Sequence, residues 1–70
     1  MITTNPHIMC GKPCVAGTRI TVEMILEYLE AGSPFAEILD GYPQLQEQDI
    51  RDAIAYARTH LREEEAFAAK

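Results

Sequence analysis

Four side chains in this sequence are of the kind that holds a transition metal: His7, Cys10, Cys14 and His60. A structural zinc needs four such donors converging tetrahedrally, and the usual solution is two closely spaced pairs. Here Cys10 and Cys14 are separated by three residues including Pro13, no second cysteine pair exists, and His60 lies far along the chain. The spacing therefore predicts no metal site and no cofactor. Two cysteines also fall well short of the dense disulfide framework of small secreted domains, so both are expected as small, half-buried, reduced side chains.

Catalysis has as little to stand on. Neither histidine has a nucleophile and an orienting carboxylate in its own segment, and no phosphate-cradling Gly-Lys-Ser/Thr loop occurs. The glutamates Glu63 and Glu64 read as solvated charge. A chain of 70 residues would also struggle to enclose a water-excluding pocket alone. The sequence points to a binding protein, not an enzyme.

The chemistry that remains is that of cations and aromatics on a surface. Lys12 and Arg19 flank two glycine turns, Gly11-Lys12-Pro13 and Gly17-Thr18-Arg19. Glycines allow close backbone approach, and two cations there could meet phosphate oxygens. Equally, the glycines could serve only the turns while Arg19 lays its stem on the core. Gln48 and Arg51 stand where a recognition helix would begin, and their side chains suit adenine and guanine edges. Their neighbours Glu47, Asp49 and Asp52 would repel phosphates. Arg58 and Arg62, one helical turn apart, together with Tyr56, are candidates for contact with a protein partner, as is the acidic tail beyond them.

Overall charge limits these options. Six basic against eleven acidic residues give a formal charge of −5, the wrong sign for a domain that coats itself in phosphates. Any DNA contact is expected to be a local patch. No apolar run approaches the roughly 18 residues needed to cross a bilayer, and the start Met-Ile-Thr-Thr-Asn-Pro-His lacks the basic flank and apolar block of a secretion signal. A cytoplasmic protein without membrane contact is expected.

The elements that must position these groups follow from the chain's punctuation. With 47% hydrophobic residues over 70 positions, one domain can form a core, although a chain this short buries only about 60% of its unfolded surface. Dimerisation is a natural supplement. Residues 1 to 20 hold Pro6, Gly11, Pro13 and Gly17 among β-favouring Ile8, Val15, Thr18 and Ile20, which predicts an extended arm or small hairpin. Thr21 is placed to cap a first helix whose apolar stripe is Val22, Ile25, Leu26 and Leu29, with Gly32 as its stop. Ser33-Pro34 predicts a serine-capped second helix through Phe35, Ile38 and Leu39, ended by Gly41 and Tyr42-Pro43. A longer third helix begins near Gln46, with Leu45 and Ile50 as a hydrophobic staple and Ile50, Ala53, Ile54, Ala57 and Leu61 as its apolar stripe.

The expected architecture is a mainly α, three-helix, helix-turn-helix-like domain. It divides into an arm (1–20), a helical core (21–62) and an acidic tail (63–70). Its core is expected to contain Val22, Ile25, Leu26, Leu29, Phe35, Ile38, Leu39, Leu45, Ile50, Ile54 and Ala57.

Strung together, Gly11-Lys12-Pro13, Gly17-Thr18-Arg19-Ile20, Ile25-Leu26, Ala31-Gly32-Ser33-Pro34, Glu37-Ile38-Leu39, Tyr42-Pro43 and Asp49-Ile50-Arg51 resemble the domain-of-unknown-function family numbered 433. The resemblance covers about residues 7 to 60. It implies a homeodomain-like fold and, for some relatives, a VapB-type antitoxin encoded beside a PIN-like nuclease toxin. The chain departs from the pattern at Gln46, where a capping Ser or Thr is usual, and at Ala16, where a basic residue is common.

The functional expectation is an antitoxin-like module that binds and neutralises a PIN-like nuclease, with operator DNA as a further ligand of the dimer. The alternatives are a stand-alone helix-turn-helix DNA-binding regulator and a docking module with no toxin.

Overall fold

The computed structural model describes residues 1–68, with side chains described through Arg62. In chain order the elements are β1 (Ile2–Thr3), β2 (Cys14–Val15), α1 (Val22–Glu30), α2 (Phe35–Gly41) and α3 (Glu47–Ala68). The three-helix expectation holds, and the arm is a hairpin. Its strands pair antiparallel with Ile2 opposite Val15 and Thr3 opposite Cys14. Between them the chain makes a left-handed turn, with φ of +50° at Met9, +57° at Cys10 and +81° at Gly11. Only the last of these suits its residue type without steric cost.

From β2 the chain enters α1 through a turn that explains the Gly-Thr-Arg motif. Gly17 takes φ +78°, and the Thr18 hydroxyl donates to the Val15 carbonyl at 2.9 Å while accepting from the Ile20 N–H at 3.0 Å. Thr21 caps α1 as expected, its hydroxyl accepting from the Met24 N–H at 3.0 Å. The helix stops in a Schellman arrangement. Gly32 lies at φ +88°, its N–H bonds the Leu29 carbonyl, and the Ser33 N–H bonds the Tyr28 carbonyl, both at 3.0 Å. Orphan carbonyls at the helix end are thereby satisfied.

Ser33 does not cap α2. The cap position is Pro34, with extended φ/ψ and no side-chain hydrogen bond, and the helix starts at Phe35. Ser33 instead belongs to the closing turn of α1, its N–H bonded to the Tyr28 carbonyl, and stands one residue too early to cap a helix that starts at Phe35. At α3 the expected staple forms: Leu45 and Ile50, one on each side of the helix start, are 6% and 0% exposed in the same core cluster.

The core is formed by Val15, Ile20, Val22, Ile25, Ile38, Leu45, Ile50 and Ala53. Cys14, Val15 and Ile20 enter it from the arm, so the arm is a wall of the core. Leu26, Leu29, Phe35 and Leu39 pack against that core half-buried. Two expectations for α3 fail outright: Ile54 is 39% exposed and Leu61 58% exposed. Ile54 precedes Tyr56, which still packs on the core, so it is exposed because it lies at the edge of the buried face of α3; for Leu61 the reason is helix length. At about 1.5 Å per residue, the nine residues of α1 and seven of α2 cannot cover the 22 residues of α3. The hairpin and helices screen one face of α3 as far as Tyr56 and Ala57, and the helix from Arg58 on continues past the body.

Candidate interaction site

Where α3 leaves the body it forms one wall of a groove of about 300 Å³. The opposite wall is the first turns of α1. Pro13, Val22, Leu26, Tyr56, Ala57 and His60 line it, and Lys12 and Glu23 stand at its rim. The lining is apolar because α1 contributes Val22 and Leu26 from its apolar stripe and α3 contributes Ala57 between the Tyr56 and His60 rings. The small side chain of Ala57 leaves space in that wall. On α3 itself the Tyr56 and His60 rings lie tilted at 42° with centroids 4.3 Å apart, and Tyr56 is half-buried against the core.

The residues singled out in the sequence fall into separate places. Lys12 reaches Glu23 at 3.9 Å with both side chains largely exposed, a weak surface pair. Arg19 is exposed in the turn before α1, and among the described residues it makes no ion pair. Gln48 and Arg51 are both engaged within α3: the Gln48 amide donates to Asp52 at 2.9 Å, and Arg51 donates to Glu47 at 2.6 Å. Tyr56 joins Lys12 in lining the groove. Arg58 and Arg62 are exposed on the projecting part of α3, and among the described residues neither has an acidic partner. The acidic tail, residues 63–70, lies outside the residues whose side chains are described.

The start of α3 is electrostatically occupied. The Met1 amino group donates to Asp52 at 2.9 Å and lies 3.6 Å from Asp49. Its hydrogen bond, with help from the Gln48 amide, holds the Asp52 carboxyl below the usual carboxylate range. In turn Asp52 raises the amino group above its ordinary value. On the other side of the molecule, the Tyr28 and Tyr42 rings meet edge to face at 5.8 Å. Their hydroxyls lie 3.4 Å apart, a hydrogen bond that, with burial, raises the Tyr42 phenol.

Neither cysteine matches the half-buried expectation. Cys10 is exposed and Cys14 buried, because Cys10 sits at the tip of the left-handed turn whereas Cys14 belongs to a strand that packs on the helices. The Cys14 thiol donates to the Lys12 carbonyl at 3.3 Å. Among the described residues no three His, Cys, Asp or Glu side chains converge.

Sequence reasoning missed the groove, whose lining includes Val22, Leu26 and His60. A signal for it was present: the apolar stripe of α3 extends to Leu61, further than the nine-residue α1 can reach.

A helix-turn-helix-ordered body with a short hairpin and a projecting last helix defines the class of protein. The chain belongs to the family described as "Protein of unknown function (DUF433)", whose model matches residues 2–57. It is similar to "Uncharacterized protein y4eO" of Sinorhizobium fredii, 33% identical over 60 residues that make up 86% of this chain and 27% of that protein. The chain thus spans about a quarter of that curated relative's length. A crystal structure of a DUF433 member from Anabaena variabilis superposes with a TM-score of 0.81 at 28% identity, covering 99% of this chain and 68% of that one. Among the described residues, no helix is long and apolar enough to cross a membrane.

Proposed function

We propose that this protein is an antitoxin-like module that binds and neutralises a PIN-like nuclease in the cytoplasm, and that it acts by binding, not by catalysis. The observation that carries the proposal is the projecting part of α3. It presents exposed Leu61 beside Arg58 and Arg62, with exposed Ile54 just before it, and an amphipathic helix of this kind suits a groove on another protein. A PIN-like site gathers carboxylates around divalent metal ions. A guanidinium inserted among those carboxylates would compete with the metal for their charge. The resemblance to VapB-type relatives supplies the toxin class.

A reading as a stand-alone DNA-binding regulator has less support. Gln48 and Arg51, the side chains suited to base edges, are already engaged by Asp52 and Glu47. The helix start also carries Glu47 and Asp49 on a chain of net charge −5. Operator contact, if made, would fall to Lys12 and Arg19 on two copies.

The test is to express a PIN-like nuclease encoded beside this gene with and without this protein, following growth, RNA cleavage and co-purification. The proposal expects toxicity that is relieved by the wild-type chain and not by an Arg58→Glu/Arg62→Glu variant. A neighbour that is harmless alone and does not bind removes the toxin reading. Salt-sensitive operator binding lost in Lys12→Ala/Arg19→Ala, without any nuclease complex, would establish the regulator instead.

A further inference from the structure

We infer that the groove between α1 and α3 is filled by Leu61 of a second copy of this chain, in a two-fold symmetric dimer. The chain carries both halves of the contact. Leu61 is 58% exposed, and Ala57, four residues earlier on the same helical face, lines the open groove. If two α3 helices cross antiparallel about an axis between these positions, Leu61 of each copy comes to lie over Ala57 of the other. The small alanine side chain allows the close approach. A two-fold interface requires one surface patch to be complementary to itself, and a knob beside a matching hole satisfies that requirement. Ile54, 39% exposed and seven residues before Leu61, lies on the same stripe and is covered by the same packing.

Charge favours this occupant. Helix α1 carries Glu23, Glu27 and Glu30 and no cation, and Glu23 stands at the rim of the groove. Arg58 and Arg62 flank Leu61 on α3, without acidic partners among the described residues. Seating Leu61 in the partner's groove brings these arginines toward the partner's Glu23 and Glu27. It thereby offsets the repulsion between two chains of net charge −5. The inference concerns the chain by itself and does not rest on the toxin reading. Dimer and nuclease complex would use the same projecting helix and exclude one another.

Analytical ultracentrifugation of the full purified chain over a range of concentration and salt tests it. The expected result is a reversible dimer that weakens as salt rises. Leu61→Lys, at an exposed position, should retain the far-ultraviolet circular dichroism of the wild type and raise the dimer dissociation constant about tenfold or more. Arg58→Glu/Arg62→Glu should weaken the dimer likewise, and adding Glu23→Arg/Glu27→Arg to that variant should restore it. A chain that stays monomeric at every concentration overturns the inference. So does a dimer indifferent to Leu61→Lys, and failure of the charge reversal to restore association overturns the seating against α1. All of these measurements use the purified chain alone, so a failure of the toxin reading would leave them unchanged.

Discussion

Asp49 closes the first turn of α3 back onto Gln46: one carboxylate oxygen accepts the Gln46 backbone N–H at 2.8 Å. This is the return half of a capping box. The forward half needs a short hydroxyl or carboxylate at the cap position, and no hydrogen bond from the Gln46 side chain exists among the described residues. Replacing Gln46 by Ser should complete the box and stabilise the fold by about 0.5–1 kcal/mol. Asp49→Ala should destabilise it by a comparable or larger amount. Urea denaturation of the two variants measures both signs, and a Gln46→Ser protein no more stable than wild type would show that the turn has no use for a second bond.

The turn from α1 to α2 depends on backbone conformation, not on space. A Cβ at Gly32 would meet nothing within 4 Å, yet φ is +88°. Gly32→Ala should therefore cost about 1–2 kcal/mol through the left-handed backbone alone, and Gly32→Asn should cost less. Equal melting temperatures for the two variants would contradict that account.

Neighbouring apolar positions on α1 should respond unequally. Ile25 is 1% exposed, and Ile25→Ala should cost about 2–5 kcal/mol. Leu26 is half-buried at the groove, so truncating it removes fewer contacts and should cost clearly less. Thermal unfolding of the pair decides, and a Leu26→Ala loss equal to that of Ile25→Ala would mean the groove is closed in solution.

The cysteines give a chemical reading of the same fold. A thiol reagent should modify exposed Cys10 promptly in the native protein, and buried Cys14 only at the rate of opening or in denaturant. Two thiols reacting together without denaturant would place Cys14 outside the core.

The contact between Asp52 and the Met1 amino group sets a pH signature. Because the folded Asp52 pKa is lowered, its contribution is present above the ordinary carboxylate value and is lost as pH falls through the lowered one. The amino group is raised from 8.0, so its contribution is present below that value and lost as pH rises through the raised one. The stability gap between wild type and Asp52→Asn should be widest near neutrality and narrow toward acid and alkali. The amino group is exposed and Asp52 only half-buried, so the gap should be modest and salt-sensitive. A gap that stays constant across pH would remove the charge contribution.

Local signals carried most of the fold. Thr21, Gly32, Tyr42-Pro43 and the Leu45–Ile50 staple each act through neighbours within one turn, so the sequence shows them directly; Gly41, expected as a stop, is the last residue of α2. Ser33 misled because a capping serine and a serine just after a Schellman turn look identical until the preceding helix is known to end at Glu30. Ile54 and Leu61 continue a sound apolar stripe, but stripe arithmetic does not tell the edge of a buried face, where Ile54 falls, from its middle, nor does it register that the helix Leu61 would pack against is too short. The groove lay in that mismatch of lengths. Cys14 and Val15 were missed as core because two-residue strands carry almost no alternation to detect, and Ile20 because it lies outside any strand or helix.

The hairpin's reach across the chain also orders events in time. Strands of two residues are below the length that holds alone in water. The hydrogen bond from Met1 to Asp52 joins positions 51 residues apart, whereas α1, α2 and α3 follow one another through short turns. Closing that long loop should come after the helices have met. The arm is then the last part to assemble and the first to open. The Ala16 amide, bonded to the Met1 carbonyl at 2.8 Å, should exchange with solvent hydrogen well before the amides around Ile50 and Ala53, while the helices remain folded.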